Sequence, residues 1–215
     1  MGQITLIGDV HGKYDRYINI CANSEFTIQL GDLGYNNTEI LQALDPTHHQ
    51  FICGNHDNHS ADYDLPHCIG RFGPGWMNNI DFFFVSGAFS IDKKYRMRAY
   101  YSGSAPQTWF PNEELSYAEG VACLELYEKI KPDLVLTHDF PRSITNKISN
   151  PEKLKDWGFD PDTFTTSTSE LLEAMFKIHQ PKYWWGAHHH CSKTFYHNGT
   201  RFQVLNELET VEIIN

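Results

Sequence analysis

The sequence predicts an α/β fold built on parallel strands, and three observations carry that expectation. Apolar runs of strand length, Ile4–Ile7, Phe26–Leu30 and Gln50–Cys53, alternate with helical patterns, the order a parallel sheet requires. Each of these runs, and two later ones ending near Leu136 and Trp185, delivers polar side chains at its C-terminal end. Ligands of open α/β sheets gather there, so these groups are expected to share one site. Finally, Asn198-Gly199 lies between two alternating runs and predicts a β-hairpin, because both residues tolerate the positive φ of a two-residue turn.

Taken in order, residues 3–7 read as a buried strand, and Gly8-Asp9-Val10-His11-Gly12 as the loop leading into an amphipathic helix over Lys13–Cys21. The second strand, Phe26–Leu30, is closed by Gly31-Asp32-Leu33-Gly34. A short helix, Thr38–Leu44, leads through Asp45-Pro46 to the third strand and then to Gly54-Asn55-His56-Asp57. Periodicity loosens after His59 until an apolar strand segment over Asp81–Ile91. Residues 92–111 form a candidate active-site loop, with Lys93, Lys94, Arg96 and Arg98 set among Tyr95, Tyr100, Tyr101, Trp109 and Phe110. In an acidic chain this combination suggests a lid, and Arg96 and Arg98 are its candidate substrate contacts.

A helix over Glu113–Ile130 is stopped by Lys131-Pro132, and Asp133–Leu136 is the strand that carries Thr137-His138-Asp139. Residues 140–166 are polar and aperiodic, long enough to be a second active-site loop. The next helix is expected to start with a Ser167-x-x-Glu170 capping box and to bury Leu171, Leu172, Met175, Phe176 and Ile178. Strand Tyr183–Trp185 precedes the hairpin of Lys193–His197 and Arg201–Leu205. A last strand, Thr210–Ile214, is expected to extend that antiparallel part.

Composition narrows the function. A chain of 215 residues suits one domain over 1–215. Its net charge of -10 repels polyanions, so extended nucleic-acid binding is disfavoured while small anionic substrates stay open. Five cysteines without a Cys-x-x-Cys pair indicate neither a disulfide framework nor a zinc knuckle. No signal sequence or membrane-spanning run is visible, which makes a reducing, cytoplasmic setting the expectation.

The strand-end groups are Asp9, His11, Asp32, Asn55, His56, His138, His188 and His190. Carboxylate, imidazole and amide oxygen without thiolate suit manganese first, with iron or zinc as alternatives, and so many donors suggest two ions. A carboxylate such as Asp32 can bridge cations roughly 3.5–4 Å apart, and a water trapped between them ionises to hydroxide at neutral pH. That chemistry hydrolyses phosphoesters.

In this order, GDVHG (8–12), GDLG (31–34), GNHD (54–57), TH (137–138) and GAHHH (186–190) resemble the five motifs of the calcineurin-like metallophosphoesterase superfamily. The resemblance implies a four-layer α/β/β/α sandwich with two central mixed sheets. It implies one metal held by Asp9, His11, Asp32 and His190, and a second held by Asp32, Asn55, His138 and His188. His56 would then be the general acid or the group that steadies the transition state. The protein Ser/Thr phosphatase branch has Asp where this chain has Tyr35 and Arg where it has Asn36, so Asp57 is the candidate to orient His56. Ala187 replaces the usual Gly of the last motif, and His189 is expected to face away from the ligands if the segment is extended.

Residues 137–144 and 183–190 also resemble RNA lariat-debranching enzymes of the same superfamily, which makes Arg142 a candidate phosphate contact. Asp9, however, stands where that branch has Cys. The expected function is hydrolysis of a small phosphorylated substrate or nucleotide. A nucleotide or nucleic-acid phosphodiesterase and a non-catalytic metal-binding scaffold are the alternatives.

Overall fold

The computed structural model of the protein describes residues 2–35 and 37–214; the departure at Asn36 lies outside them. Two mixed sheets form its centre. One orders β10 (Thr210–Ile214), β1 (Gln3–Ile7), β2 (Thr27–Leu30) and β3 (His49–Ile52), with β1, β2 and β3 parallel and β10 antiparallel to β1. The other orders β4 (Phe72–Met77), β5 (Ile80–Val85), β6 (Leu134–Thr137), β7 (Tyr183–Gly186), β9 (Thr200–Val204) and β8 (Lys193–His197). Its middle strands are parallel and its two outer pairs antiparallel.

Alternation along the strands builds the layers, because successive side chains leave opposite faces. Ile4, Leu6, Ile28 and Leu30 of the first sheet meet Phe82, Phe84, Leu134 and Leu136 of the second in a central core. Phe83, Val85 and Val135 point the other way, against α4 (Tyr117–Ile130), α5 (Arg142–Ile148) and α7 (Ser167–Ile178). On the opposite outer face Ile7 and Phe51 pack on α1 (Tyr14–Ala22) through Tyr17 and Cys21, and on α2 (Thr38–Leu41) through Leu41. Three cores between four layers give the α/β/β/α sandwich.

Several elements differ from the sequence expectation. Residues 92–111 are not a loop throughout: α3 spans Lys93–Tyr101 and buries none of its residues. Its helix-favouring Lys, Arg, Met and Ala and the Asp92–Arg96 ion pair at 2.8 Å support it instead, so no 3.6-residue apolar period announces it. Residues 140–166 likewise contain α5 and α6 (Pro151–Asp156). Asn150 caps α6 by accepting from the Glu152 and Lys153 N–H groups at 3.0 and 3.4 Å, and Pro151 sits at the first helical position.

The capping box of α7 is Thr166 with Ser169, not Ser167 with Glu170. Thr166 is extended, as an N-cap must be, whereas Ser167 already lies inside the helix. The expected strand over 81–91 ends at Val85, and its unforeseen partner β4 joins it through Asn78-Asn79, both at positive φ. Strand β10 leaves the hairpin altogether and pairs with β1 in the other sheet.

Candidate metal centre

The C-terminal ends of β1, β2, β3, β6 and β7 converge on one point. Asp9 follows β1 and is fully buried; its Oδ1 accepts from the His188 N–H at 3.1 Å. Among the described residues its Oδ2 has no hydrogen-bond partner, and faces His190 Nε2 at 3.5 Å and His11 Nε2 at 3.6 Å. Those two imidazole nitrogens are themselves 3.3 Å apart, on rings stacked 7° from parallel. An orphaned carboxylate oxygen with two imidazole nitrogens aimed beside it is the arrangement a cation completes.

Next to this triad lies a second. Asp32 Oδ1 is 3.4 Å from His138 Nε2, and Asn55 Oδ1 is 3.2 Å from the same atom. The other ring nitrogen of His138 donates to the Leu30 carbonyl at 2.7 Å, which turns Nε2 toward Asp32 and Asn55 as the atom a cation would take in exchange for its proton. His188 stands behind, its ring 4.9 Å from that of His138. Asp9, His11 and His190 thus form one donor cluster, and Asp32, His138 and His188 another, each within 4.8 Å. Close approach demands glycine here: a Cβ on Gly31 would lie 2.3 Å from His138 Nδ1.

Backbone strain concentrates on the same residues. His11, Asp32, His188 and His190 have φ of 49°, 59°, 65° and 49°, a left-handed conformation that costs of order 1 kcal/mol or more for such side chains. Hydrogen bonds hold them there. Val10 and His11 both donate to the Asp32 carbonyl, at 3.0 and 2.8 Å. The segment 187–190 is therefore not extended, and His189 does not face away from the site: it lines the cleft and meets the buried Asp139 at 2.9 Å.

Above the centre opens a cleft of about 1000 Å³, walled by α3 on one side and by α5 and α6 on the other. His56 borders it, anchored by its N–H to Asp32 Oδ1 at 2.8 Å. Arg96 also borders it, with Nη2 3.4 Å from His56 Nε2. Arg98 and Arg142, expected to contact substrate, are not among the lining residues. Arg98 sits on a shallow groove with Lys94 and Tyr101, and Arg142 pairs with Glu170 at 3.2 Å.

Asp57 does not orient the His56 ring either. Its carboxylate accepts from the backbone N–H groups of Asp32, Gly34 and Gly54 at 2.7–2.8 Å, tying two ligand loops together. His59 bonds the Gly54 carbonyl and the Tyr63 hydroxyl. The contacts that scattered positions make, Ser90 and Glu113 behind Asn55 and Asp139 behind His189, carry no motif that a sequence could have shown.

Burial disfavours the charged form of His138, but the Asp32 carboxylate, then Asp9 and the Leu30 carbonyl, outweigh it and lift the ring to about 10. Burial dominates at His188 and takes it down to about 3. At Asp57, burial and then the Asp32 charge push the carboxyl up to about 7.

A stability profile follows. The His138 contribution is complete below the ordinary histidine value of about 6.5 and is lost as pH rises toward about 10. The proton Asp57 retains in the fold acts in the same direction between roughly pH 4 and 7, whereas the depressed His188 favours higher pH only up to roughly 6.5. The metal-free protein should therefore melt at progressively lower temperature from pH 7 to 9. Saturating Mn2+ should flatten that slope if a cation occupies the site, since it would take the neutral ring. Parallel thermal melts check this, and a flat metal-free profile would refute it.

A two-sheet sandwich whose strand ends gather carboxylate, imidazole and amide donors under an open cleft defines a metal-dependent hydrolase. The chain belongs to the calcineurin-like phosphoesterases: the model of that family matches residues 2–192. It is thus a metal-dependent phosphoester hydrolase. No curated protein matches the sequence.

Among solved structures, phosphopantetheinyl hydrolase from Mycobacterium tuberculosis is similar at a TM-score of 0.53 and 15% identity, covering 95% of this chain and 89% of that one. A dimetal phosphatase from Danio rerio is similar at 0.53 and 13%, with 96% and 88% covered. For a putative 5'-nucleotidase from Staphylococcus aureus the values are 0.53 and 10%, and this chain, 98% covered, spans 50% of it. At these identities the likeness is one of fold.

Proposed function

We propose that the protein hydrolyses small phosphoesters at a dinuclear centre, Asp9, His11, Asp32 and His190 holding one ion and Asp32, Asn55, His138 and His188 the other. The observation that carries this reading is the pair of adjacent donor clusters, with the Asp32 carboxylate within 3.4–3.8 Å of a histidine from each. When bound, two such cations supply Lewis acidity toward a phosphoryl group and ionise water at neutral pH.

The chain's own side chains account for the rest. His56, on the rim of the cleft, is the group we assign to the leaving oxygen. A guanidinium can only donate, so His56 Nε2 faces Arg96 as an acceptor. Burial first, and Arg96 further, lower the His56 pKa against the pull of Asp32, so the ring rests neutral until an anion arrives beside it. Arg96 is itself held by Asp92 at 2.8 Å, which presents its remaining N–H groups to phosphoryl oxygens.

The cleft is far larger than a phosphate needs, and Phe89, Trp157 and Phe164 are among the residues that line it. A substrate with a substantial, ring-bearing leaving group fits that shape. Protein carrying two manganese ions should hydrolyse aryl and nucleoside phosphoesters with higher kcat/KM than glycerol phosphate. Metal analysis and a leaving-group series on one sample test this. Two bound ions with no turnover on any ester would favour the scaffold reading.

A further inference from the structure

We infer that Ser90 and Glu113 are positioning residues that fix the amide of Asn55 with its oxygen toward the second cation, an assignment that rests on the dinuclear reading above. Asn55 is 2% exposed, and its Nδ2 donates to Ser90 Oγ at 2.9 Å. Ser90 Oγ in turn donates to Glu113 Oε2 at 2.7 Å, and the Ser90 N–H donates to Glu113 Oε1 at 3.2 Å. Both residues are buried, at 1% and 2% exposure.

The polarity of this chain is set while Glu113 is ionised, and burial lifts its carboxyl to about 7. A serine hydroxyl has one proton, and the carboxylate takes it, so only lone pairs face Asn55. The amide must offer its NH2 to them, and Oδ1 then points to the other side, where it lies 3.2 Å from His138 Nε2. Without the carboxylate the hydroxyl could rotate and donate to an amide oxygen, and a turned amide would show the cation an NH2 group, which cannot ligate. A buried carboxylate costs stability unless it is well partnered, and Glu113 spends both its oxygens on Ser90.

The backbone around the chain is fitted to hold it. Gly87 N–H donates to the Cys53 carbonyl at 2.7 Å, docking the segment before Ser90 onto the loop that carries Asn55. Gly87 also packs so closely on Glu113 that a Cβ would lie 2.1 Å from the Glu113 carbonyl oxygen. Two residues beyond Ser90 comes Asp92, which holds Arg96, so one short segment places both the metal-facing amide and the guanidinium beside His56.

Calorimetric titration of the full chain with Mn2+ tests the assignment. Wild type should show two sites, and a wild type that binds fewer than two ions would fail the dinuclear reading itself. Ser90→Ala and Glu113→Gln should weaken one site about 10- to 100-fold and leave the other unchanged. Ser90→Thr, which keeps the hydroxyl, should restore it. Glu113→Gln is nearly isosteric and guards against a variant that fails to fold, which melting curves of the metal-free proteins check. Wild-type affinity at both sites in Ser90→Ala and Glu113→Gln, or equal weakening of both, would overturn the inference.

Discussion

Asp32→Asn should lower kcat by at least roughly 10³-fold at saturating Mn2+, because loss of one electrostatic donor alone typically removes 10²–10³ and in the proposed centre this carboxylate serves both ions. Its two oxygens face different partners. Oδ2 lies 3.8 Å from His11 Nε2, and Oδ1 lies 3.4 Å from His138 Nε2 while accepting the His56 N–H at 2.8 Å. Asparagine tolerates the φ of 59° at this position, so the substitution removes charge without removing the backbone conformation. Metal stoichiometry should fall below two in the same sample. Full turnover with two ions bound would exclude Asp32 from the bridging role.

The second large effect falls on folding. Asp57→Ala should destabilise the protein by roughly 3–6 kcal/mol, since three buried backbone N–H groups lose their acceptor at about 1–3 kcal/mol each and water can reach some of them. Those donors belong to Asp32, Gly34 and Gly54, at the ends of β2 and β3, so the ligand loops should loosen before the outer helices do. Denaturant unfolding measures the loss, and hydrogen exchange locates it. A change below about 1 kcal/mol would mean the loops hold their shape without the carboxylate.

How much of this was readable beforehand depends on which physical signal each residue carries. The strands ending at Asp9, Asp32, Asn55, His138 and His188 announced themselves, because apolar runs followed by metal-type side chains are visible locally. The left-handed turns at His188 and His190 were not, since nothing in a His-His-His run specifies positive φ. His189 accordingly went unassigned. Helix α3 escaped for a different reason: it buries nothing, and burial periodicity is what a helix writes into sequence. Ser90 and Glu113 matter only through contacts between distant segments, a relation that no local pattern encodes. Arg98 and Arg142 show the converse case, in which residue type is legible but the direction a side chain takes is not: neither lines the cleft.

The antiparallel pairing of β10 with β1 has a kinetic meaning. Asp9 and His11 are synthesised well before β10, yet the Asp9 carbonyl is tied down by the Leu208 N–H at 2.8 Å and the Gly8 N–H by the Glu209 carbonyl at 2.9 Å. Register between Gln3 and Ile214 joins residues far apart in sequence, the kind of contact whose loop closure is slowest. The segment around residue 210 must therefore leave the ribosome before the turn at Asp9 gains these bonds, so this corner of the candidate site settles late in folding.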